Sequence, residues 1–225
     1  MVVLLFILTI LGCIAVDLYL RRRERRRAAA ASPALREPAR LLPDWACELP
    51  GGLFFHGGHT WAKIESSGSV QVGLDGFARG ILGRVDRYEL PAKGAKLRQG
   101  EPAFAAFQSG KRIDFVSPVD GVVCAVNDQI NSDPQGAKKE PYEKGWAVAV
   151  RPFNIVQNLK KLRIGAEASA WLEKEVRSFA EFLSLHRAVP KEVGVTLPDG
   201  GTHAEGILET MDGEILQIAI RKFFR

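Results

Sequence analysis

The 225-residue chain carries a formal net charge of +5, which suggests a nucleic-acid partner until the charge is located: residues 21–27, RRRERRR, hold six Arg and one Glu and account for all of the excess. The rest sums to zero, so the basic character is one local block and leaves no DNA or RNA footprint on the folded part. Cys13, Cys47 and Cys124 form no paired-spacing motif, which fits a reducing compartment.

Residues 1–20, MVVLLFILTILGCIAVDLYL, are apolar over the length needed to cross a ~30 Å hydrocarbon core and end directly in the arginine block. A cleaved signal peptide carries its positive charge ahead of the apolar run and small residues after it, and this segment has neither. A lipoprotein site at Cys13 would place bulky Leu11 in the processing motif and would leave the apolar run continuing through Val16. A retained transmembrane helix is therefore expected. Six arginines behind it put the body of the protein on the cytoplasmic side of an inner (cytoplasmic) membrane, crossed once. Residues 21–52 combine the basic block with an alanine run and several prolines, a composition that makes an extended linker.

From residue 53 short alternating stretches are divided by Gly, Pro, Asn and Asp. Trp61 to Ile64, Val70 to Val72, Phe104 to Phe107, Ile113 to Val116, Gly121 to Val126 and Trp146 to Val150 read as strands of an all-β core. Cys124 is expected as a buried small apolar residue. Phe77 to Leu82 reads as one short helical turn dropping Phe77 and Leu82 onto the sheets. Residues 165–185 read as an amphipathic helix with Trp171, Leu172, Val176, Phe179 and Leu183 on its stripe. The domain is thus expected over 53–185, and 186–225 form a C-terminal extension. Within it, Val193 to Gly201 predicts a strand and tight turn, and Asp212 a cap for a last helix with Ile215, Ile218, Ala219, Phe223 and Phe224 on one stripe. The extension is expected to fold back onto the domain.

His59-Thr60-Trp61, Val72-Gly73-Leu74-Asp75-Gly76-Phe77-Ala78, Leu82-Gly83, Glu89-Leu90-Pro91, Gly94, Gly100, Ser117-Pro118-Val119-Asp120-Gly121, Asn127, Pro141-Tyr142 and Gly145-Trp146 follow one another in an order that resembles the glycine cleavage system H-protein family. The resemblance implies a mainly β fold, the flattened antiparallel β-sandwich of lipoyl and biotinyl domains with added helices. It also implies a carrier whose lipoyl arm is attached to a lysine at a hairpin apex. Lys111 in Phe107-Gln108-Ser109-Gly110-Lys111-Arg112 is the candidate lipoyl attachment site. Three features depart from the family pattern: Gln108 stands for an acid, Gly110 for an apolar residue, and Pro118 follows Lys111 by seven residues where the family has eight. A two-residue turn at Ser109-Gly110 predicts that Phe104 faces Phe115, Ala106 faces Ile113 and Gln108 faces Lys111, which sets the lysine one step below the apex.

Other chemistry finds little support. Gly110-Lys111 lacks the earlier glycine and the following Ser or Thr of a phosphate-binding loop. His56 and His59 have no third ligand close in sequence, so no metal site is expected, and His59 reads as structural. Asp75, Asp114, Asp120 and Asp133 show no paired arrangement, and no Ser-His or Cys-His pattern is visible, so an enzyme is not expected. Three functional readings remain. The first is a membrane-tethered, non-catalytic H-protein-like docking or scaffold module without the lipoyl arm, with protein partners. The second is an active carrier whose arm on Lys111 shuttles an aminomethyl or other group between enzymes. The third, a periplasmic transport adaptor, would need a long helical hairpin and the opposite side of the membrane.

Overall fold

A computed structural model describes residues 49–186 and 206–224. The expected membrane helix at 1–20, most of the expected linker and the strand and turn expected at 193–201 lie outside the described residues. Among the described residues no helix is long and apolar enough to cross a membrane.

The stretches of alternating residues become the long strands, and shorter strands complete two antiparallel sheets. The larger sheet contains β1 (Phe54–Phe55), β2 (Thr60–Ile64), β3 (Val70–Leu74), β5 (Lys96–Leu97), β8 (Gly121–Val126) and β9 (Trp146–Pro152), in the order β1-β2-β3-β9-β8-β5. The smaller contains β4 (Arg87–Glu89), β6 (Pro102–Gln108) and β7 (Lys111–Val116), in the order β4-β6-β7. Ala62, Val72, Val148 and Val150 from the first sheet and Phe104, Ala106, Ile113 and Phe115 from the second share one core. The fold is mainly β, as expected.

Several landmark residues have a packing reason. Trp61 is fully buried, its Nε1–H donates to Leu74 O at 3.0 Å, and its ring lies against Gly73, where a Cβ would come within 2.7 Å of both the ring and Gly145 O. At Gly121 a Cβ would run into the Arg151 carbonyl across the β8–β9 ladder. Asp75 caps α1 (Gly76–Leu82), its Oδ1 accepting from Ala78 N at 2.8 Å, and every residue of that helix is buried.

Arg79 in α1 is 3% exposed and pairs with carbonyls rather than carboxylates. Its Nε donates to Leu74 O at 3.3 Å, Nη1 to Ala137 O and Nη2 to Gly145 O. Burial pulls its pKa below the ordinary arginine value, a cost partly offset by Tyr88, Tyr142 and Asp75 nearby. The side chain ties α1 to α3 (Pro134–Lys139), which follows α2 (Gln129–Ser132), and to the start of β9.

After β9 come α4 (Ile155–Leu159) and α5 (Gly165–Leu185). The bounds of α5 match the sequence expectation, and its buried side is Ala168, Leu172, Phe179, Phe182 and Leu183, with Trp171 and Val176 at its margin. The last described segment holds α6 (Ile207–Thr210) and α7 (Gly213–Phe223). Asp212 caps α7 as expected, accepting from Gly213 N at 2.6 Å, and Arg221 and Lys222 suit the negative end of its dipole.

Two expectations need correction. The buried stripe of α7 is Leu216, Ala219 and Phe223, followed by Phe224, while Ile218 is 46% exposed, because residues three and four apart share a face and Ile218 is rotated off it. Cys124 is half-buried rather than buried: the β8–β9 register shifts between Val123 and Ala125, and the bulge leaves Cys124 donating from Sγ to Ala149 O at 3.3 Å.

Candidate functional site

The β6–β7 hairpin forms with the register expected from its sequence: Phe104 opposite Phe115, Ala106 opposite Ile113, Gln108 opposite Lys111. Ser109 and Gly110 form the apex with φ of 49° and 76°. Two successive positive φ values are the signature of a type I′ turn, whose twist matches the flanking strands. Gly110 tolerates this freely, whereas Ser109 is held there by its backbone N–H, which donates to Asp86 Oδ2 at 2.7 Å.

Below the apex the hairpin is fastened on two sides. Gln108 is 2% exposed, and its Nε2 donates to Leu82 O and to Arg84 O, the latter at 2.9 Å. Its Oε1 has no hydrogen-bond partner among the described residues. An acid at this position would have no proton to give those carbonyls when ionised, so the amide suits the site. Lys111 is half-buried, and its Nζ donates to Met211 O at 3.1 Å. Met211 follows α6, which is held by Gly206 N donating to Gly80 O at 2.7 Å and by Glu209 Oε1 accepting from Arg84 N. Gly83 and Gly206 meet so closely that a Cβ on Gly83 would lie 2.5 Å from Gly206 Cα.

The segment over Lys111 is anchored in the core. Phe224 packs edge-on to Phe115 at 5.2 Å and to His59 at 6.0 Å, and Phe223 lies against Phe77, Phe179 and Phe182. Nothing local to the hairpin sequence marks Met211 or Glu209 as its neighbours, since each lies about a hundred residues away.

His56 and His59 each use Nδ1 in a hydrogen bond within the fold. His59, fully buried with φ of 59°, donates from Nδ1 to Asp75 Oδ2 at 2.8 Å and stacks on Phe77 with centroids 4.4 Å apart, the structural role expected of it. His56 Nδ1 accepts from Gly58 N at 3.0 Å. Among the described residues no group of three or more His, Cys, Asp or Glu is placed to hold a metal ion.

Burial, with smaller contributions from Arg163 and His59, pulls the His56 pKa below its ordinary 6.5, and the Gly58 N–H favours the same neutral form. The unfolded chain then binds more protons than the folded one once pH falls below 6.5. Stability contributed by neutral His56 is full above that value and is lost as pH drops from it toward the depressed folded value. Urea midpoints measured from about pH 7.5 to 5 should fall more steeply in the wild type than in His56→Gln.

A family model described as "Glycine cleavage H-protein" matches residues 53–175, more than half of the chain. The chain belongs to the glycine cleavage H-protein family. The glycine cleavage system H protein of Anoxybacillus flavithermus is 33% identical over 114 residues, covering 49% of this chain and 88% of that protein. That of Stenotrophomonas maltophilia is 35% identical over 123 residues, covering 55% and 94%. A crystal structure of a glycine cleavage system H protein from Mycobacterium marinum matches at 25% identity and a TM-score of 0.49, covering 56% of this chain and 98% of that one. The residues matched to the H-protein family model end within α5, so Glu209, Met211, Phe223 and Phe224 lie outside them. The residues that cover Lys111 and the H-protein hairpin that bears it thus come from different parts of the chain.

Proposed function

We propose that this protein is a membrane-tethered H-protein-like module that docks protein partners without a lipoyl arm and without catalysis of its own. The observation that carries this reading is the setting of Lys111. A ligase that attaches lipoate needs an amine it can reach at a protruding apex, and the attached group needs room to swing. Lys111 sits one step down the return strand, half-buried, with its Nζ donating to Met211 O. Lipoylation would exchange the ammonium for an amide, leaving one N–H where three were available, and would force the arm past Met211 and α6. The residues around this lysine do not fit the group.

The tether rests on residues 1–20 and the arginine block behind them, which put the domain on the cytoplasmic face of an inner membrane. The second reading is an active carrier, favoured by Lys111 being the lysine nearest the apex of the family hairpin. It requires the segment 206–211 to move away from the amine. Intact-mass measurement on protein purified from its own membrane fraction tests both parts together. The expected result is recovery in that fraction at the unmodified mass. A lipoyl increment that disappears in Lys111→Ala would establish the carrier instead, and recovery from the soluble fraction would remove the tether.

A further inference from the structure

We propose a second membrane contact on the folded domain: the surface made by the end of β9, α4 and the neighbouring β5 edge docks on an anionic lipid bilayer. This proposal rests on the tether reading and adds to it a lipid-facing side of the domain.

The zero net charge outside residues 21–27 conceals an uneven distribution. Residues 151–164, RPFNIVQNLKKLRI, contain Arg151, Lys160, Lys161 and Arg163 and no acid. The sheet brings a second basic strand beside them, because Lys96 pairs with Val122 and Val122 with Arg151, setting Lys96 and Arg151 on one face, both exposed. Gln99 closes the corner, its Nε2 donating to Asn158 O in α4 at 2.9 Å. Two carboxylates lie nearby. Asp120 accepts from Gln99 N at 2.7 Å and Asn158 Nδ2 at 2.6 Å and is near Lys161 and Arg98; Glu101 stands 3.8 Å from Arg98. They leave Lys96, Arg151, Lys160 and Lys161 without an ion-pair partner among the described residues.

Within this cationic surface two apolar side chains face water. Phe153 is 64% exposed and Val156 62%, and they stand three residues apart where the chain turns from β9 into α4. An aromatic and an aliphatic tip in the same segment as four lysines and arginines match an anionic bilayer, where cations meet headgroups and the apolar tips enter the acyl boundary. Duplex nucleic acid would satisfy the charge and leave the tips in water. β1, the first described strand, exchanges hydrogen bonds with the far end of this segment, Phe55 N to Arg163 O at 2.8 Å and Arg163 N to Phe55 O at 2.9 Å, which joins that end to the larger sheet.

The test uses the full chain with Cys13, Cys47 and Cys124 changed to Ser and one new cysteine, Val156→Cys or Glu143→Cys, carrying an environment-sensitive fluorophore. Glu143 is exposed and lies at the opposite end of β9. The protein is mixed with vesicles of phosphatidylcholine alone or with added phosphatidylglycerol, containing bromolipid as quencher. Quenching at position 156 should exceed that at 143 by about threefold in the anionic vesicles only, and the excess should disappear in Lys160→Glu with Lys161→Glu. Equal quenching at 156 and 143 in protein that co-floats with both vesicles would overturn the proposal and leave the tether standing. Flotation with anionic vesicles alone, lost on reversing Lys160 and Lys161, would uphold the surface and defeat the tether. Flotation with neither defeats both. Release of the label from anionic vesicles by duplex DNA at equal phosphate concentration would reassign the surface to nucleic acid.

Discussion

Phe223→Ala is expected to lower the stability of the entire domain by about 3–5 kcal/mol, the usual cost of truncating a buried aromatic side chain. Phe223 is 1% exposed and lies within aromatic distance of Phe77 in α1 and of Phe179 and Phe182 in α5, at centroid separations of 6.4, 5.3 and 5.8 Å. The loss combines transfer of the ring to water with a cavity that three other rings border. Urea unfolding followed by both tryptophan fluorescence and far-ultraviolet circular dichroism should show one transition shifted to lower denaturant. A main transition left in place, with only a small early loss of helix, would mean that α7 is a detachable arm. That outcome would also weaken the docking-module reading, because an arm that lifts off takes Met211 away from Lys111.

Arg79→Ala is expected to cost about 2–5 kcal/mol, although it removes a charge that is expensive to bury. The guanidinium is the donor for Ala137 O and Gly145 O, and its Nε adds to the Trp61 Nε1–H at Leu74 O. Without it the two former carbonyls are left without a side-chain donor in a buried site, each at about 1–3 kcal/mol, and the side-chain volume becomes a cavity. Arg79→Lys should recover less than half of the loss, since one ammonium cannot span three acceptors on three segments. Thermal unfolding of both variants checks this, and a loss below about 1 kcal/mol for Arg79→Ala would show that the carbonyls find other donors. Gly145 belongs to the same arrangement, as a Cβ there would lie 2.5 Å from the guanidinium.

The hairpin at Lys111 shows how much a local pattern carries. Alternating Phe104, Ala106, Ile113 and Phe115 admit one register once Ser109-Gly110 is taken as a two-residue turn, because a slip of one residue would send all four side chains to the other face. The helix at 165–185 was legible for a similar reason, as its apolar stripe persists over many turns. The two- and three-residue strands β1, β4 and β5 and the short helices α2, α3 and α4 were not, since elements of two to six residues are too short to show a period. Periodicity in α7 marked a helix and placed Ala219, Phe223 and Phe224 on its buried side, but took Ile218 in place of Leu216, because the two are equally apolar and their neighbours decide which is covered.

Sequence alone therefore determined the family, the β framework, the hairpin register and the capping of the last helix by Asp212, all of which depend on residues near one another along the chain or on landmarks at a fixed spacing. Tertiary structure alone decided what covers the hairpin and which distant cation joins the basic run 151–164. Met211 meets Lys111 a hundred residues away, and Lys96 comes onto the same sheet face as Arg151 across an intervening strand. No local pattern encodes either meeting, because each depends on the complementary shapes of distant segments packed in one core.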